Sequence, residues 1–196
     1  MKATFFERLG AYILDMIIVS LILSLISLGF GNYTSSSEKL MEELDNQLLE
    51  SEITTEEYMK QYEYIFYDYQ KETVLQTGIS LALTIAYYVV FQYMNKGQSL
   101  GKKLLGIRVV DKDTKKPTTI LKGLLRSFLI MSILSGTLST ISIFILNRDI
   151  YFTVYLTALG VEAIFTLITI MFALYKKDGR GLHDIMANTI VIKESR

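Results

Sequence analysis

The sequence predicts an all-α integral membrane protein: four transmembrane helices, an extracytoplasmic helical hairpin extension, and a small cytoplasmic β-pair with short interfacial helices. Three observations lead there. The 196-residue chain is 51% hydrophobic with a mean hydropathy of +0.33, too apolar for an ordinary soluble domain of its size. Its apolar residues are gathered into four long blocks, and a bilayer core takes on the order of 20 apolar residues per helix. Basic and acidic side chains also segregate into different loops, although Lys plus Arg and Asp plus Glu each total 20. With a formal net charge of zero, the bulk charge gives no footing for nucleic acid.

The first block runs from Gly10 to Phe30 and is interrupted only by Asp15. Lys2 and Arg8 precede it, and Ser27-Leu28-Gly29 would make a tolerable cleavage site. It is nevertheless longer than the apolar region of a signal peptide and carries an aspartate that such a peptide has no use for, so it reads as an uncleaved span. The second block, Val74 to Met94, contains no charged side chain and is the clearest of the four. The third, Ser127 to Leu146, follows directly on Arg126, and the fourth, Tyr151 to Tyr175, holds Glu162 near its middle. Only residues 147–150 separate the last two blocks, which predicts a tight antiparallel hairpin. Residues 1–196 form a single membrane domain, with 31–73 as an acidic helical insertion within it.

Orientation follows from the basic residues. Residues 96–122 hold eight of them, Lys96, Lys102, Lys103, Arg108, Lys112, Lys115, Lys116 and Lys122, against Asp111 and Asp113. The tail adds Lys176, Lys177, Arg180, Lys193 and Arg196, whereas residues 31–73 carry eleven acids and only Lys39, Lys60 and Lys71. The N-terminus, basic loop and tail are therefore expected to face the cytoplasm, with the chain crossing the membrane several times.

The outer insertion has helical spacing at Leu40, Met41, Leu48 and Leu49, and Thr54 with Glu57 makes a capping box. Tyr58, Tyr62, Phe66 and Tyr69 then recur at helical intervals into the second span, which predicts a hairpin whose second arm enters the membrane with its tyrosines at the interface. On the inner side, Ile107 to Val110 and Thr189 to Ile192 read as two short strands able to pair. Leu100 to Leu105 and Leu182 to Ala187 read as short amphipathic turns.

The absence of cysteine excludes disulfides, thiolate metal sites and cysteine nucleophiles. The single histidine, His183 beside Asp184, is too small a donor set for a metal, and no nucleophile, base and oxyanion set can be assembled. An enzyme and a cofactor are both unexpected, and Gly101-Lys102-Lys103 lacks the rest of a phosphate loop. Charges inside spans are the informative residues, because each is expensive in hydrocarbon unless paired or hydrated. Arg8 and Asp15 share a helix face but stand ~10 Å apart along it, so each needs a counter-charge elsewhere. The expected pairs are Asp15 with Arg126 and Arg8 with Asp184. Glu162, with Thr166 and Thr169 on its face, either hydrogen-bonds a neighbouring helix or binds a cation or proton. Ser20, Ser24 and Ser27, and Ser132, Gly136 and Thr140, form small-residue stripes for helix packing. The inner basic face is suited to anionic lipid.

Arg8 at the start of the first helix, Asp15 within it, and Asp184 in the segment Gly179 to Thr189 resemble the motif of the RDD family of small membrane proteins, named for one arginine and two aspartates. The stretch Gln98 to Val110 and Leu124-Leu125-Arg126 are similar to the same family's inner loop. The resemblance covers the chain apart from residues 31–73. It implies a bacterial plasma membrane and two open classes of function. One is transport of a small cation, Na+ or H+, of sodium-proton antiport type; on the charges read above, Asp15 and Glu162 would carry the ion, Arg8 and Arg126 would tune them and Asp184 would gate, in a homo-oligomer because four spans enclose little of a pathway, although the resemblance itself does not single out Glu162. The other is a scaffold or accessory subunit that binds membrane protein partners, with the Arg/Asp triad structural.

Overall fold

In hydrocarbon a long apolar stretch can satisfy its backbone hydrogen bonds only within itself, and the three longest blocks of this chain are helices. A computed structural model describes residues 1–29 and 36–194; Phe30, at the expected end of the first span, the start of the acidic insertion and Arg196 lie outside them. Helices α1 (Phe5–Gly29), α4 (Val74–Met94) and α8 (Arg148–Tyr175) are long and apolar enough to cross a membrane. Only 11% of the most apolar window of α1, and 17% in α4 and α8, is buried within the chain, as expected of helices that face lipid. Helix α1 starts ahead of the apolar block because Thr4 and Glu7 cap it reciprocally: the Glu7 N–H reaches the Thr4 hydroxyl at 3.3 Å and the Thr4 N–H reaches Glu7 Oε2 at 2.8 Å.

Two departures from the expected spans matter for the site. Helix α4 widens into a π-helical stretch over Ala86–Phe91, where the Gln92 N–H reaches back to the Tyr87 carbonyl. The third block is not one helix. It forms α6 (Ile120–Ser127) and α7 (Ile133–Ile145), separated by a turn that ends on Ser132 in the left-handed region, at φ 52°. One N–H group freed by this break is met from another helix: Ser135 N donates to Glu162 Oε1 of α8 at 3.0 Å, and a carboxylate there suits the positive end of a helix dipole. At 13 residues, α7 is well short of the ~20 that span a bilayer.

The acidic insertion is a helical hairpin, α2 (Ser36–Leu49) packed on α3 (Thr55–Glu72), and the predicted Thr54/Glu57 capping box is present. Thr73 alone separates α3 from α4, and its hydroxyl bonds the Tyr69 carbonyl at 2.8 Å. The aromatic run on α3 packs on protein: Phe66 meets Tyr151, Phe152 and Tyr155 at the start of α8 with ring centroids 5.0–6.3 Å apart. Arg148 grips Asp68 through two bonds of 2.7 and 2.9 Å beside this cluster.

At the other end of the spans, α5 (Leu100–Leu104) leads into β1 (Ile107–Asp111), which pairs antiparallel with β2 (Thr189–Lys193), Val109 opposite Val191. The N-terminal residues join them: Lys2 bridges Ile192, and Ala3 N donates to the Val191 carbonyl at 3.1 Å. Ala3, Ala11, Ile107, Val109 and Val191 form the buried cluster that seats this β-pair on α1. Of the small-residue stripes, Gly136 does bring α7 within reach of Leu81 on α4. Ser20, Ser24 and Ser27 instead face outward, and Ser20 and Ser27 bond carbonyls of their own helix.

Candidate functional site

The charged residues converge where α1, α5, α6 and the short helix α9 (Leu182–Met186) meet. Asp15, 1% exposed, sits mid-face on α1 and is met by donors from two elements. The Tyr87 hydroxyl, aimed from the π-helical stretch, donates at 2.6 Å, the Ser99 hydroxyl at 2.5 Å and the Gly101 N–H at 2.7 Å, with Lys102 Nζ 3.8 Å away. Glycine is required at 101 by proximity. A Cβ there would lie 2.3 Å from the Ala11 carbonyl oxygen and 2.8 Å from Asp15 Oδ1. Lys102 also donates to Gln92 Oε1 at 2.7 Å and to the Ser99 hydroxyl at 3.1 Å. Burial lowers the Lys102 pKa to about 8, and the nearby Arg126 pushes the same way against Asp15 and Asp184.

Asp184 is fully buried in α9 and takes both arginines. Arg8 Nη1 lies 3.4 Å from Oδ2 and Arg126 Nη1 3.4 Å from Oδ1, and the Thr189 hydroxyl donates to Oδ1 at 3.1 Å. Arg8 Nη1 also donates to the Gly179 carbonyl at 2.5 Å, and so ties the first helix to the tail. Burial opposes the charge on Asp184, but Arg126, His183, Arg8 and the Thr189 hydroxyl together outweigh it and hold the carboxyl below its ordinary range. His183 stands 3.5 Å from Arg126 Nη2. Burial, reinforced by Arg126, Arg8 and Lys102, lowers its pKa to about 4, so the imidazole is neutral at neutral pH.

The expected Arg8–Asp184 pair is therefore present, and the expected Asp15–Arg126 pair is not. Two placements explain the exchange. Gly101 lets α5 lie directly on α1, which puts Ser99 and Lys102 against Asp15 first, while α9 packs on α6 and delivers Asp184 to Arg126. Glu162 belongs to a different locality: it is 6% exposed, its Oε1 is used by Ser135, and its Oε2 has no hydrogen-bond partner among the described residues. Thr166 and Thr169 do not bond it; they line a cavity of about 210 Å³ together with Arg8, Asp15, Lys102 and Arg126.

Tyr87, Ser99, Gly101 and Thr189 are site residues that the sequence did not single out. Ser99 and Gly101 stood inside a recognisable motif, but nothing in a linear pattern says that its backbone N–H points at an aspartate on another helix. Among the described residues no group of three or more His, Asp or Glu side chains could hold a metal ion. Arg8, Lys102 and Arg126 face two carboxylates, so the cluster carries a surplus positive charge.

A model described as the RDD family matches residues 2–188. No curated protein and no solved structure matches the chain.

Proposed function

This chain belongs to the RDD family, and from that premise we propose that it is a membrane scaffold or accessory subunit, not an enzyme, in which the Arg/Asp triad is a structural clamp. The observation that carries this reading is the saturation of both aspartates by protein donors. Asp15 accepts three hydrogen bonds with a lysine alongside, and Asp184 faces two arginines and the Thr189 hydroxyl. A transported cation would have to displace those donors. Clamped in this way, the outer hairpin and the inner β-pair are two rigid surfaces for protein partners or a second copy, and exposed lysines such as Lys103, Lys115 and Lys116 suit anionic lipid.

Cation or proton transport is the second reading, and Glu162 favours it. A buried carboxylate with one free oxygen at the end of a broken helix is an arrangement that ion pathways use. Liposomes containing the purified chain separate the two. Under an imposed sodium or pH gradient the scaffold reading expects no flux above empty vesicles. Gradient-driven flux that Glu162→Gln abolishes in a stably folded protein would establish transport instead.

The clamp reading comes with four crossings, α6 and α7 together making a broken third, and with both termini in the cytoplasm of a bacterial cell. Single cysteines at Glu52 and Thr114, both exposed, should then react with an impermeant maleimide from opposite sides of the plasma membrane, Glu52 from outside. Labelling of both from one side would contradict the single crossing by α4 that separates them in this reading.

A further inference from the structure

The clamp leaves several of its own polar atoms unused. Arg8 Nε and Nη2, Arg126 Nη1, His183 Nδ1 and Thr169 Oγ1 are buried without a hydrogen-bond partner among the described residues. Arg126 Nη1 is in charge contact with Asp184 Oδ1 at 3.4 Å but off hydrogen-bond geometry. An unpaired buried donor is costly, and a charged one more so. All four residues line the same cavity of about 210 Å³, whose lining cations Arg8, Lys102 and Arg126 outnumber the lining Asp15 and the Asp184 that pairs with both arginines. The surplus charge and the unused donors both call for an anion.

The cavity walls say what carries that anion. Besides the charged cluster and a few neutral polar groups such as Gln92 and Thr166, they are mostly apolar, formed by residues such as Ile130, Met131 and Ala173. Leu9 of α1 and Ile170 of α8 line the cavity yet are 39% and 41% exposed, so its mouth opens sideways between these two helices, which make little contact with one another. Arg8 lies in the first turn of α1, and Thr169 and Ala173 lie near the end of α8; resting on the crossings proposed above, this puts the cavity at headgroup depth with its mouth toward acyl chains. Its volume falls below the ~300–1,000 Å³ of pockets that enclose a whole organic ligand, and suits a headgroup whose tail stays outside.

We propose that this cavity binds an anionic membrane lipid, its phosphate or carboxylate headgroup held by Arg8 and Arg126 and its acyl chain leaving between α1 and α8 along Leu9 and Ile170. The site differs in kind from the exposed lysines of the inner face, because its donors are buried and fixed by the clamp. Occupancy would also make the lipid part of the joint between the first helix and the tail.

The test is the melting temperature of the purified full chain in neutral detergent. Dioctanoyl phosphatidic acid should raise it by several degrees in a saturable manner, whereas dioctanoyl phosphatidylcholine and inorganic phosphate at equal concentration should not. Ala173→Phe fills the cavity and leaves every charge in place, and should weaken the response at least tenfold in concentration. Ile170→Trp, at the exposed mouth, carries the same expectation should Ala173→Phe fail to fold. Absence of a shift with phosphatidic acid, an equal shift with phosphatidylcholine, reproduction of the shift by inorganic phosphate alone, or an undiminished response in the folded cavity variants would each overturn the proposal.

Discussion

Asp184→Asn should destabilise the protein by about 3–5 kcal/mol, the usual loss when one member of a buried ion pair is neutralised and its partner left behind. Here two partners are stranded, since Arg8 and Arg126 both point at this fully buried carboxylate. The same change weakens the acceptor of the Thr189 hydroxyl and loosens the start of β2, and with it the β-pair on which the N-terminus is seated. Thermal unfolding in detergent, followed by circular dichroism or by loss of the monodisperse peak, measures the loss. Arg126→Gln in the same chain should restore part of it, and the departure from additivity reports the pair directly. A loss below about 1 kcal/mol, in the range of exposed pairs, would show that Asp184 does not hold the clamp.

Gly101→Ala should be nearly as damaging although it adds one methyl group. The added Cβ meets a backbone oxygen, Ala11 O at 2.3 Å, which cannot rotate away. Helix α5 must therefore back off α1, and it carries the Ser99 hydroxyl, the Gly101 N–H and Lys102 away from Asp15 as it goes. Overpacking alone costs ~1–3 kcal/mol, and the orphaned buried carboxylate adds to it. Gly78→Ala and Gly160→Ala are the controls, because a Cβ at either meets nothing within 4 Å. Both should be neutral or gain a few tenths of a kcal/mol, up to ~1 kcal/mol, from helix propensity. Equal melting temperatures for all three variants would contradict the close approach at Gly101.

The contrast between these glycines marks what a sequence can disclose. The apolar blocks at α1, α4 and α8 are legible because lipid imposes a length and a composition on each helix independently. The capping box at Thr54 and Glu57 and the pairing of Ile107–Val110 with Thr189–Ile192 are legible because both are local patterns with few alternatives. Arg8 with Asp184 was reachable by elimination among few charges. The exchange of Lys102 for Arg126 at Asp15 was not, since it depends on how closely α5 approaches α1, a distance set by a missing side chain. The break before α7 was equally hidden: residues 127–146 are uniformly apolar or small, and the group that completes the broken turn, Glu162, comes from a different helix.

The single-residue junction at Thr73 gives the α2–α3 hairpin a mechanical character. An arm of 18 residues rises ~27 Å along its axis, and at its base only Thr73 stands between it and the helix below. Arg148 and the aromatic cluster act as stays, bracing this mast against the start of α8. Its tip is thereby fixed in height and bearing relative to α4 and α8. A sideways load on the tip is borne by the root of α4, the helix whose widened turn presents Tyr87 to Asp15, and not dissipated in a flexible tether.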